Sequence, residues 1–221
     1  MAIAVRVNFE KQLRQLQDDT LLLGSLAHQA VTRSVKALVE GDVALARTVI
    51  AEDIGVNRLH YDVEMSCYGL LATEQPVARD LRTIVSALSI ASDLERIGDH
   101  GKRIARIMLR MTERPQPIPL GDIPYMADRA LDMLGRALQA VAQHDVELAR
   151  ALCRDDDTVD ALYKQTFNIT LSHMLDKPQL IASGTHLIQI AHELERVGDR
   201  ATNVAERVIY SATGALVDLN V

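Results

Sequence analysis

The nine residues HELERVGDR, His192 to Arg200, return almost letter for letter as SDLERIGDH, Ser92 to His100. Leu94, Glu95, Arg96, Gly98 and Asp99 recur as Leu194, Glu195, Arg196, Gly198 and Asp199, while Asp93 and Ile97 become Glu193 and Val197. Working outward, GDVALAR at Gly41 to Arg47 is answered by HDVELAR at His144 to Arg150, and Val56, Leu59 and Pro76 by Val159, Leu162 and Pro178. The chain is an internal duplication. Its joint is ERPQPIPLGDIP, Glu113 to Pro124, which holds four of the six prolines and cannot continue a helix. This divides the chain into repeats 1–114 and 115–221.

Within each repeat, apolar residues recur three and four apart, and breaks fall at matching places. Aromatic content is 3% and Trp is absent, which disfavours β packing, and abundant Ala, Leu and Arg favour helix. The spacing predicts helices near 8–40, 42–74 and 76–112, then 122–143, 145–176 and 178–212. Gly41 with Asp42, and His144 with Asp145, make the first corners, and Pro76 and Pro178 open the third helices. The expected fold is all-α: two tandem, homologous, elongated three-helix bundles.

The formal net charge of -6 gives no global positive field for nucleic acid. The two cysteines, Cys67 and Cys153, stand far apart and outside any CxxC pattern, so neither a disulfide framework nor a thiolate metal site is expected. MAIAVRVNFEKQ turns charged before an apolar signal core could form, and no run of about 18 apolar residues appears. The expectation is a cytosolic chain with no transmembrane segment.

On the last helix, side-chain directions follow from about 100° per residue. With Glu195 at zero, Glu206 falls at about 20°, Asp199 at about 40°, His192 at about 60° and Asn203 at about 80°. These five potential ligands share one stripe, while Val204, Val197, Ile190, Ala201, Leu194 and Ala205 lie on the opposite arc, which faces the core. The stripe is expected to point outward. Carboxylates three or four apart repel one another, so such a stripe needs a cation: an arginine or lysine, or a divalent or trivalent metal.

The first copy differs. Glu95 and Asp99 remain, but His192, Asn203 and Glu206 are answered by Ser92, Arg103 and Arg106. Arg103 can pair with Asp99 four residues earlier. The second stripe is therefore expected to hold metal more tightly than the first, which binds it weakly or not at all. Glu193 with Arg196, and Asp93 with Arg96, read as structural ion pairs within one helix. Gly98 and Gly198 imply close approach of another helix.

Together, QPVARDLR at Gln75 to Arg82, DLERIGDH at Asp93 to His100, ELERVGDRATNVAE at Glu193 to Glu206 and YSATG at Tyr210 to Gly214 resemble the PhoU family of phosphate-transport regulators. The resemblance implies two similar three-helix bundles, often dimeric, with multinuclear iron or zinc on an E(D)xxxD motif in each repeat, here Glu95 to Asp99 and Glu195 to Asp199. The Asn and acid that usually follow the motif are kept as Asn203 and Glu206, whereas the first repeat departs with Arg103 and Arg106. It further implies a cytosolic negative regulator, peripheral to the inner membrane face, linking the phosphate ABC transporter to a sensor histidine kinase without catalysing a reaction. Two readings compete: a metal-free helical scaffold, and a carboxylate-bridged di-iron enzyme or iron store. The latter is disfavoured because its bundles use Glu-x-x-His with inward ligands, whereas the order here is His192-x-x-Glu195.

Overall fold

A computed structural model describes residues 2–113 and 118–219, and among these every regular element is helical. The first half contains α1 (Ala2–Glu40), α2 (Val43–Glu74) and α3 (Ala78–Glu113). The second contains α4 (Ile123–Gln143), α5 (Val146–Ala151), α6 (Cys153–Asp176) and α7 (Ile181–Thr213), with a single 3-10 turn at Pro178–Leu180 before α7. At 1.5 Å per residue the 39 residues of α1 span roughly 58 Å and the 33 of α7 roughly 50 Å.

The two corners are built alike. Gly41 and His144 take left-handed φ values of 69° and 53°. The carboxylates of Asp42 and Asp145 then accept the first free N–H groups of the next helix, from Leu45 at 2.9 Å and from Glu147 and Leu148 at 3.0 Å. Pro76 stands just outside α3, which follows left-handed Gln75 and opens at Ala78, itself left-handed. Pro178 opens the 3-10 turn instead of α7 itself.

The segment expected to run unbroken over 145–176 is interrupted at Leu152. There the bonds shorten to three-residue steps, Leu152 N to Ala149 O and Asp155 N to Leu152 O. Asp155 and Asp156 occupy the first turn of the helix that restarts, where acidic groups complement the positive end of the helix dipole. Leu152 itself is fully buried.

Helices α3 and α7 are central: α3 packs on α1, α2 and α7, and α7 on α3, α4, α5 and α6, while α1 also touches α4. All six residues expected on the apolar arc of α7 are fully buried. The buried side chains form one continuous core running through both halves, so the repeats are fused along α1, α3, α4 and α7. Among the described residues no helix is long and apolar enough to cross a membrane.

Candidate metal centre

Gly198 fixes how closely α6 approaches α7. A Cβ placed there would lie 3.2 Å from Asp156 Oδ1 and 3.5 Å from Val159 Cγ1; at the matching position, one on Gly98 would lie 3.0 Å from Val56 Cγ1 of α2. The absent side chains let the second helix of each half lie against the third, as the duplicated glycines implied. In the second half this contact brings Asp156 and Asp160 of α6 up to Glu195 and Asp199 of α7.

One carboxylate oxygen from each of Asp160, Glu195 and Asp199 lies within 4.8 Å of the others. Asp156 sits beside them: burial raises its pKa to about 6, and Asp199, Asp160, Asp157 and Glu195 add to the effect by repulsion. Glu195 is likewise raised, first by burial and then by Asp199, against an opposing contribution from His192. Asp156 Oδ1 and Glu195 Oε2 are buried and accept no hydrogen bond. Arg196 donates to Asp199 at 2.7 Å, and His192 Nδ1 lies 3.1 Å from Glu195 Oε2 without the alignment of a hydrogen bond.

Three carboxylates thus converge, with Asp156 beside them, against Arg196, His192 and the exposed Lys164, which lies 3.9 Å from Asp160, and two buried oxygens are unsatisfied. Leaving such atoms unpaired is unfavourable, and an oxygen-rich donor set of this kind suits a hard or borderline cation. The residues of the second half fit a metal ion.

The stripe inferred from α7 is only partly assembled. Glu195 and Asp199 are not on the solvent side: their side chains are 20% and 23% exposed because α6 covers them. Glu206 stands eleven residues beyond Glu195, about 16 Å along the axis, and accepts the backbone N–H of Leu219 at 2.7 Å. Asn203 turns to α3 and donates to Asp93 at 3.4 Å. Helical angle says nothing of distance along the axis or of the neighbours a side chain packs against. Asp156 and Asp160 were overlooked, although aligning Val56 with Val159 matches them to Asp53 and Asn57 in the first half.

In that first half, Glu95 and Asp99 lie near Asp53 of α2, but Arg103 does not neutralise them. Lys102 does, through a close ion pair with Asp53 Oδ2 and a 3.4 Å contact with Asp99 Oδ1. Asn57 also donates to Asp53 Oδ2 at 3.1 Å, leaving Asp53 Oδ1 the unbonded oxygen. Glu95 is raised by burial and by Asp99, with His60 and Arg96 opposing. Because an ammonium already lies among these carboxylates, the first-half residues do not fit a metal ion.

The intrahelical pairs read from spacing are also replaced. Asp93 meets Arg200 at 3.1 Å, and Glu193 meets His100 at 2.5 Å and Arg103 at 3.6 Å. Both are bonds between halves, which spacing within one helix cannot reveal. Arg82 likewise crosses, its Nε donating to Ser211 O at 3.3 Å.

The family model described as the PhoU domain matches residues 20–108 and 123–208. A protein of Rhizobium meliloti, named as a phosphate-specific transport system accessory protein PhoU homolog, is 36% identical over 208 residues, covering 94% of this chain and 88% of the relative. The crystal structure of PhoU from Pseudomonas aeruginosa superposes with a TM-score of 0.90 at 33% identity, covering 94% of this chain and all of the other. That of the phosphate transport system regulatory protein PhoU from Streptococcus pneumoniae gives 0.88 at 32% identity, covering 95% and 99%.

Proposed function

Because the chain belongs to the PhoU family, we propose that it is an accessory regulator of phosphate transport whose second half carries a metal centre. In this reading it is a cytosolic, dimeric adaptor that links the phosphate ABC transporter at the inner membrane face to a sensor histidine kinase. It restrains starvation signalling while phosphate is plentiful and catalyses no reaction. The names of its relatives support the connection to phosphate transport. With a net charge of -6, the chain is ill suited to sense free phosphate directly.

The observation that carries the metal reading is the meeting of Asp160, Glu195 and Asp199, with Asp156 beside them and two buried oxygens unsatisfied. These four residues would hold iron or zinc, with His192 at the rim. The ion would supply positive charge that ties α6 to α7 and so sets the shape presented to a partner. A di-iron enzyme or iron store is less well supported, since the carboxylates lie in a groove between two helices and not inside a four-helix core.

Two measurements test this. Elemental analysis of untagged protein prepared without chelator should find iron or zinc, and Glu195→Ala with Asp199→Ala should remove it. Capture of the transporter and kinase from cells grown in high phosphate should weaken in the same variant. Undiminished capture would make the metal dispensable to signalling, and absence of metal from the parent protein, unrestored by added iron or zinc, would leave the helical scaffold.

A further inference from the structure

The two acidic grooves are the same construction with two exchanges. Each is lined by an Asp on the second helix, Asp53 or Asp156, and by the Glu and Asp of the repeated phrase on the third. Four residues after the second-helix Asp stands Asn57 in the first half and Asp160 in the second. Three residues after the motif Asp stands Lys102 in the first half and buried Thr202 in the second.

These exchanges act in one direction. The first groove has three carboxylates and an ammonium placed among them, in contact with Asp53 and Asp99. The second has four carboxylates whose cations are the more exposed Arg196, on Asp199, and Lys164, 3.9 Å from Asp160, and Thr202 gives its hydroxyl to its own helix at Gly198 O, 3.3 Å away. The Lys102 side chain is 17% exposed and that of Asp53 only 7%, so this is an enclosed pair and not a surface bridge. A lysine ammonium offers three donors and one unit of charge. A metal entering the first groove would have to displace it against two carboxylates and leave it buried beside another cation.

We propose that Lys102 takes the place of a metal ion in the first half, so that the chain has one metal-responsive groove and one that is permanently neutralised by its own side chain. The inference rests on the metal reading of the second half, and its consequence is an asymmetry: metal binding stiffens α6 against α7 while α2 and α3 are held together at all times.

The test is metal uptake by the full chain, using Zn²⁺ alone and, under anaerobic conditions, Fe²⁺ alone, read by calorimetry and elemental analysis. Glu195→Gln with Asp199→Asn empties the second groove and should leave no tight binding. Adding Lys102→Thr to that variant should restore uptake with affinity at least ten-fold above it, while adding Lys102→Arg should not. Glu95→Gln with Asp99→Asn in the parent chain should leave metal content unchanged, which reads the proposal even if the Lys102→Thr protein folds poorly. Hydrogen exchange should show metal-dependent protection in α6 and α7 of the parent chain only.

Loss of metal on changing Glu95 and Asp99, or no uptake by a folded Lys102→Thr chain whose second groove is emptied, overturns the inference. A parent chain that takes up no metal, beside a Lys102→Thr chain that does, would overturn the reading of the second half and leave this one standing.

Discussion

Arg200 of α7 lies 3.1 Å from Asp93 of α3, and the matching residues with the halves exchanged, His100 of α3 and Glu193 of α7, meet at 2.5 Å. The repeated phrase therefore bonds to its own copy. Both acids are largely buried, with side-chain exposures of 14% and 15%, and removing one partner of a buried pair leaves an uncompensated charge. Replacing Arg200 by Ala leaves Asp93 only the long hydrogen bond from Asn203. The expected loss is about 2 kcal/mol, toward the lower end for buried pairs because solvent still reaches Arg200. Urea unfolding checks it, and a Asp93→Asn, Arg200→Met cycle should give a coupling above ~0.5 kcal/mol.

Asp156 makes the metal-free protein pH-dependent. Its folded pKa of about 6 stands above the ordinary aspartate value of about 3.9. The native state therefore holds more protons than the unfolded state between these limits, and stability falls as pH rises through that window. Chelator-treated protein should melt at a higher temperature near pH 5 than near pH 7.5, with Asp156→Asn reducing the difference. Added zinc or iron should oppose the trend, since ligands must be deprotonated to bind. A chelated protein that gains stability steadily from pH 4 to pH 7 would contradict the assignment of Asp156.

Glycines in the helices separate by what surrounds them. At Gly101 a Cβ would lie 2.8 Å from the backbone of α1 at Ala30 and Val31, so Gly101→Ala must push two helices apart at a cost of about 2 kcal/mol. At Gly55 and Gly69 nothing lies within 4 Å, and alanine there should stabilise by roughly 0.5–1 kcal/mol through helix propensity. Thermal melts of the three single variants give the comparison. A neutral Gly101→Ala would show that α1 and α3 are less tightly set.

Cys67 is buried, and its thiol points to Ile84 O at 3.7 Å. Burial, reinforced by Glu64, raises its pKa to about 11, so almost no thiolate exists at neutral pH. In a Cys153→Ser background, iodoacetamide should label native protein at pH 7.5 at least a hundred-fold more slowly than urea-unfolded protein, by mass spectrometry.

The helices were legible because periodicity and capping are local: Asp42 and Asp145 mark their corners in the sequence as they do in space. The break at Leu152 was not read, although the acids that follow it, Asp155 and Asp156, were its signal; α1 begins earlier than its periodicity suggested, at Ala2, and the third helices begin two to three residues after their prolines. The candidate site was half legible. Glu195 and Asp199 could be placed on one helical face from spacing alone, but their partners Asp156 and Asp160 lie on another helix, and no rule of spacing within α7 points to them. Lys102 was missed for the same reason: its distance from Asp53 depends on how α2 packs, whereas the rival Arg103 stood at an obvious four-residue interval from Asp99. Aligning the two repeats along their second helices as well as their third would have paired Asp53 with Asp156 and Lys102 with Thr202.

The apolar layer shared by α1, α3, α4 and α7 bears on ancestry. A lone repeat would have left that layer facing water, and two-fold pairing of identical copies is the commonest way to cover such a face. In such a pair of identical copies, the Asp93 to Arg200 bond and the Glu193 to His100 bond would be one contact made twice. Joined in one chain, the two copies need not stay alike, and they differ where Lys102 stands among the acids of the first and Thr202 takes its place in the second.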